Sequence, residues 1–144
     1  MTSARALYAL AAALAVLVGG CGAEVPDNTG GPGLPQQRAG ESYPGERRQI
    51  LGQFIVADNG CFLLRLDGVS RVVIWPKDAT SGGDAVVLAD GTRLQDGDRV
   101  QGTGALLPVA RLADWPGGYW GATVGFCDAA ADRVVVLDSV VFQD

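Results

Sequence analysis

The chain contains no histidine among its 144 residues. This absence excludes an imidazole general base, the Ser-His-Asp and Cys-His arrangements of nucleophilic catalysis, and the commonest transition-metal ligand. Lysine is almost missing too, since Lys77 is the one lysine in the sequence. An enzyme built on this chain would have to work with carboxylates, hydroxyls or Lys77.

Basic charge is scarce in the part of the chain that is expected to fold. Residues 49–144 contain 7 basic and 12 acidic residues, whereas nucleic-acid-binding domains carry a basic face that neutralises phosphates. We therefore predict no nucleic-acid partner.

The N-terminal segment has three parts. Residues 1–5 carry one positive charge, residues 6–18 form an apolar run of 13 residues, and Val18-Gly19-Gly20-Cys21 follows. The run is shorter than the ~20 apolar residues that span a bilayer. This order resembles a bacterial lipoprotein signal with its lipobox.

The lipoprotein resemblance implies that residues 1–20 are a signal peptide and that Cys21 becomes the lipidated first residue. The protein is then held by its lipid on the extracytoplasmic face of the cell membrane. The alternatives are an ordinary signal peptide cut elsewhere, or an uncleaved anchor.

Two cysteines remain after Cys21, at Cys61 and Cys127. An even pair in an oxidising compartment indicates a disulfide. A redox-active pair is the alternative, but the sequence contains no C-x-x-C motif. We predict a structural disulfide between these two residues.

The composition divides the mature chain into a tether and one domain. Residues 22–48 are rich in Pro, Gly and polar residues, which predicts a disordered linker behind the lipidated cysteine, so that 21–48 form the tether. Residues 49–144 show no helical period and contain short apolar runs separated by Gly and Asp. Strands are expected at residues 50–57, 61–66, 71–75, 85–88, 92–94, 99–107 and 133–142.

The order of these strands is similar to that of an OB-fold, a five-stranded Greek-key barrel. The similarity rests on two early hairpins, a long connection, the segment GDRVQGTG at residues 97–104 and the late segment RVVVLDSVV. Glycines within a strand supply the kinks that small barrels need. The resemblance implies an all-β fold with a barrel of five to seven strands.

The layout of the whole domain also resembles small actinobacterial lipoproteins. The segments that carry this likeness are GC-LLR-DG, VVIWP and DGD-V-G-G. It implies location and fold, and it implies no activity.

Four aromatic residues are the candidate ligand-binding residues: Trp75, Trp115, Tyr119 and Trp120. Rings on the Gly-rich segment WPGGYW could stack on a glycan or a peptide, and they should then converge on an exposed groove. The alternative is that the rings close one end of the barrel and enlarge a small core. A structural role predicts buried rings and an exposed apolar patch elsewhere.

The acidic residues suggest two further chemistries. Calcium favours clustered carboxylates, but Asp78, Asp84, Asp90, Asp96 and Asp98 do not follow the EF-hand spacing, and Asp before Gly is typical of turns. A glycosidase would need two acids ~5–9 Å apart across a cleft. We predict no metal, no cofactor and no catalytic residue.

The sequence therefore favours a non-enzymatic, lipid-anchored envelope protein that acts as a binding or interaction module. Its expected partners are the membrane, through the lipid, and an envelope protein or a glycan. The alternatives are a structural or assembly lipoprotein and a carboxylate-based hydrolase.

Overall fold

The computed structural model describes residues 33–128 and 130–144. The predicted signal peptide and Cys21 lie outside the described residues. The described elements are β1 (Arg48–Val56), β2 (Phe62–Leu66), β3 (Val69–Ile74), β4 (Thr80–Ser81), β5 (Val86–Val87), β6 (Arg93–Leu94), β7 (Arg99–Pro108), a 3-10 helix (Val109–Arg111), α1 (Gly118–Cys127) and β8 (Arg133–Gln143).

Five strands close into a barrel in the order β1-β2-β3-β8-β7. Neighbouring strands are antiparallel except β3 and β8, which run parallel. The β2–β3 hairpin turns at Asp67 and Gly68, which both have positive φ, as a tight hairpin that follows the strand twist requires. The expected all-β fold with a small OB-like barrel is confirmed.

Two glycines in β7 allow β8 to approach closely. A Cβ on Gly102 or Gly104 would collide with a carbonyl oxygen of β8. Between these glycines the pairing shifts register, so that Asp138 on β8 is an extra residue with no opposite partner on β7. Such a β-bulge bends the strand and turns the extra side chain outward.

The barrel interior forms the first of two apolar clusters. Phe54, Leu64, Val73 and Trp75 are fully buried there. Strands β4, β5 and β6 form a separate three-stranded sheet. Its apolar residues join the same cluster, so this sheet packs on the barrel core.

The second cluster lies between the outer face of the barrel and α1. Leu63 on β2, Val72 on β3 and Val136 on β8 face Trp120 and Val124 of α1. A disulfide joins the residue before β2 to the last residue of α1, with the two Cα atoms of Cys61 and Cys127 5.7 Å apart. The predicted disulfide pair is therefore brought together, and it fastens the helix to the barrel.

Residues 33–47, here called the strap, pack on the barrel, although composition predicted a disordered linker over 22–48. Leu34 is 1% exposed and belongs to the barrel core. The Trp75 N–H donates to Pro35 O (2.8 Å), and the Gln37 N–H donates to Trp75 O (2.9 Å). The folded domain therefore begins earlier than expected, because a few apolar side chains fix a segment whose average composition is polar.

The strap fills the space where β3 and β8 diverge. The two strands pair only at Val73↔Val135 and Ile74↔Val136. Beyond that point the side-chain amide of Gln37 donates to Leu137 O (2.7 Å) while its backbone bonds β3. The strap thus substitutes for the missing strand pairing.

Candidate binding surface

Trp75 lies inside the barrel. It is fully buried and meets Phe54 edge-on, with ring centroids 5.8 Å apart. Its indole N–H has no hydrogen-bond partner within the described residues. This ring fills the core and is closed to a ligand.

Trp120 holds the strap through a shared carboxylate. Its indole N–H donates to Glu41 (2.7 Å), and the Tyr43 hydroxyl donates to the same carboxylate (2.9 Å). The Arg38 guanidinium donates to Glu41 at 3.0 Å and lies 4.7 Å above the centre of the Tyr119 ring. Burial raises the pKa of both Tyr43 and Tyr119, as it does for any acid whose charged form loses water.

Trp115 completes the set of four aromatic candidates. It is half-buried, packs against the same outer cluster as Trp120, and precedes a cis proline, Pro116. Trp75 belongs to the barrel core, whereas the other three rings belong to the outer layer. Trp75 and Trp120 are buried, and Trp115 and Tyr119 are partly buried against the outer cluster. The four rings therefore do not converge on one exposed groove, and three of them cover a side of the barrel.

The barrel face that OB-folds commonly use for binding is covered by the chain itself. Those folds bind through strands 2 and 3 and the adjoining loops. Here Leu63 of β2 and Val72 of β3 are buried beneath the outer layer that includes α1. A binding surface has to be sought elsewhere on the domain.

Three of the candidate acids stabilise turns and loops. Asp90 accepts from the Thr92 N–H (2.8 Å), Asp96 from the Val56 N–H (2.8 Å), and Asp98 from the Gln95 N–H (2.7 Å). The Thr92 N–H lowers the pKa of Asp90 because it stabilises the carboxylate. Within residues 33–128 and 130–144, no group of three or more His, Cys, Asp or Glu residues could hold a metal ion.

Asp78 lines a surface depression, here called the β8 groove, which has a volume of about 210 Å³. Asp138 and Ser139 of β8 form one wall. Asp138 is engaged by the Arg47 guanidinium at 2.7 and 3.2 Å. Asp78 makes no hydrogen bond or ion pair with the described part of the chain. The remaining lining is mostly apolar: Pro76, Ala79, Leu88, Ala89 and Val140.

One backbone edge of β8 is open beside this groove. β7 pairs with the other edge along the length of β8. On the open side, the pairing of β8 with β3 ends at Val136 of β8, and no other described strand pairs with this side of β8 beyond that residue. Val141 is 54% and Phe142 42% exposed on this end of β8. Sequence reasoning missed this surface; the signal available was that the last predicted strand, at residues 133–142, is longer than the predicted strand at residues 71–75, beside which it lies.

No protein-family model, no curated protein and no solved structure matches the chain. In the part of the chain that the structure describes, no helix combines the length and the apolar character needed to cross a bilayer.

Proposed function

We propose that this protein is a lipid-anchored, extracytoplasmic envelope protein that acts as a non-catalytic protein-interaction module. The observation that carries the proposal is the open edge of β8, with exposed Val141 and Phe142, on a domain whose OB-like binding face is closed by α1. An unpaired strand edge with apolar side chains is a typical site of contact with another chain.

The proposed location is supported by the lipobox that ends at Cys21 and by the Cys61–Cys127 disulfide. Disulfides persist in oxidising compartments and are rare in the cytosol.

A protein partner fits the surface better than a glycan does. The open edge offers unpaired main-chain groups to another strand, whereas two of the candidate rings for glycan stacking, Trp75 and Trp120, are buried. A structural or assembly role predicts buried rings together with an exposed apolar patch. Such a role also works by binding another protein, so it falls within the proposed interaction function.

A carboxylate-based hydrolase fits the structure less well. The β8 groove holds Asp78 and Asp138, but Asp138 is ion-paired with Arg47. That contact occupies Asp138 and leaves Asp78 as the one unpaired carboxylate among the described residues of the groove, whereas a glycosidase needs two acids across a cleft.

The anchor is tested by Cys21→Ala in the full chain, with Gly22→Ala as the matched control. We expect the Cys21→Ala protein to leave the membrane fraction after a carbonate wash and the Gly22→Ala protein to remain. Retention of the Cys21→Ala protein would refute the lipid anchor.

The interaction is tested by placing a photo-crosslinking amino acid at Val141 in cells, with Val69 as the control. Both side chains are about half exposed, at 54% and 49%, but Val69 lies at the start of β3, away from the open edge. We expect a discrete heavier adduct from position 141 and none from position 69. Equal adducts from both positions, or none from 141, would contradict the proposal.

A further inference from the structure

We propose that the open edge of β8 binds an extended segment of a partner protein by strand addition, and that a basic side chain of this segment enters the β8 groove. The inference rests on the proposed interaction function and specifies the partner's chemistry.

The backbone of β8 supports strand addition. Strand β8 extends to Gln143, whereas its pairing with β3 ends at Val136. An added strand gains affinity from the unpaired main-chain groups of such an edge. Proteins usually protect exposed edges with lysine, proline or very short strands, and Val140-Val141-Phe142 has none of these protections.

The β8 groove supports a basic side chain in the added segment. Ser139 and Val140, where the open edge begins, line the groove, and the lining combines apolar residues with the carboxylates Asp78 and Asp138. Lysine and arginine carry a charged group on an apolar stem, so they match an apolar floor with acidic borders. Asp78 is the carboxylate free to receive the charge, because Asp138 already contacts Arg47.

Charge disfavours one arrangement of a second copy of the chain as the occupant. In the antiparallel register that places Val141 opposite Val141, Asp138 lies opposite Asp144 at both ends of the paired segment. Like charges directly across a strand pair are destabilising. A segment with basic residues would instead be attracted.

The proposal is tested with a fluorescent peptide, acetyl-Thr-Val-Lys-Val-Thr-Val-amide, titrated with the full chain in detergent micelles. Fluorescence anisotropy gives the dissociation constant. Three control peptides are used. One carries Glu in place of Lys, and the other two carry N-methyl groups on alternate amides, one peptide for each of the two possible alternations. The protein variants are Asp78→Asn and Val141→Lys, and the matched controls are Asp58→Asn and Val69→Lys, which change exposed residues away from the groove.

We expect saturable binding that weakens about 2- to 5-fold with Asp78→Asn, the range of a solvent-accessible ion pair. One phase of N-methylation should weaken it about tenfold or more, since several main-chain hydrogen bonds are lost. Val141→Lys should weaken it while Val69→Lys and Asp58→Asn leave it unchanged.

Three results would overturn the proposal. The first is no saturable binding of the Lys peptide. The second is binding of the Glu and N-methylated peptides that is as tight as that of the Lys peptide. The third is a concentration-dependent dimer in light scattering that Val141→Lys converts to a monomer. The last result would assign the edge to a second copy. The two proposals fail separately. If the Cys21→Ala protein stays in the membrane fraction but the peptide binds, the anchor is wrong and the edge is supported. If the protein is anchored through Cys21 but the peptide does not bind, the edge is wrong and the anchor is supported.

Discussion

Replacing Leu34 by alanine tests whether the strap is part of the folded domain. Leu34 is 1% exposed and contacts the barrel core, although it lies in a segment whose composition predicts disorder. If the strap packs as described, the substitution leaves a cavity in the core. If the segment were a free linker, the substitution would change nothing.

The expected loss of stability follows from the burial of this side chain. Leucine-to-alanine substitutions at buried sites cost about 2–5 kcal/mol, the sum of lost transfer free energy and a residual cavity. For Leu34, which is almost fully buried, we expect about 3 kcal/mol, within this range. This is a large share of the ~5–15 kcal/mol that stabilises a typical domain.

The matched control is Leu51→Ala, since Leu51 is 54% exposed on β1. Its effect should stay within about 0.5 kcal/mol, the usual range for surface substitutions. Both variants are measured in the full chain by urea unfolding followed by circular dichroism. With a slope of about 1–3 kcal/mol per molar urea, Leu34→Ala should lower the midpoint by about 1–3 M. A shift no larger than that of Leu51→Ala would refute the packed strap.

Three further predictions concern the outer layer and the aromatic side chains. Cys127→Ser should destabilise the domain by about 4 kcal/mol in the same urea assay, because it opens a loop with a sequence separation of 66; an unchanged midpoint would contradict this. Trp120→Phe removes the indole N–H that donates to the Glu41 carboxylate and should lower the free energy of unfolding by about 1–2 kcal/mol. The control, Trp115→Phe, should lower it less. Equal losses would refute a role of Trp120 in holding the strap. Because burial raises the pKa of Tyr43 and Tyr119, the unfolded chain releases these protons first. Their contribution to the free energy of unfolding should be fully present below about pH 10 and should be lost as the pH rises above it. Urea midpoints across that range measure the decline. A Tyr43→Phe variant with an equally steep decline would argue against this cause.

The barrel strands could be predicted because their signals are local. Alternating apolar residues and turn residues such as Asp67-Gly68 define β1, β2 and β3, and the glycines of β7 indicate where the strand bends. The predicted strands match the observed elements to within about two residues at most ends.

Helix α1 could not be predicted because its stability is not local. Gly118, Gly121 and Gly125 lie within its ten residues, and glycine disfavours a helix by about 1 kcal/mol each relative to alanine. The helix is held by burial of Trp120 and Val124 against the barrel and by the disulfide at its last residue. None of these contacts appears as a periodic pattern.

The candidate surface was missed for a similar reason. A sequence shows which side chains are aromatic, but it does not show that Trp75 points into a barrel or that Trp120 meets Glu41, 79 positions away. Likewise, an open edge is a property of strand lengths after pairing. It appears only when β8 is placed beside β3, whose pairing with it ends at Ile74.

The strap also constrains the order in which the domain can be completed. Gln37 bonds Leu137, a residue 100 positions further along the chain. A polypeptide made from its N-terminus therefore carries residues 33–47 without their complete binding site until β8 has emerged. Contacts of such long range are formed late and slowly, so in a partly synthesised chain the gap between β3 and β8 is not yet closed by the strap, and the chain is then most prone to aggregation.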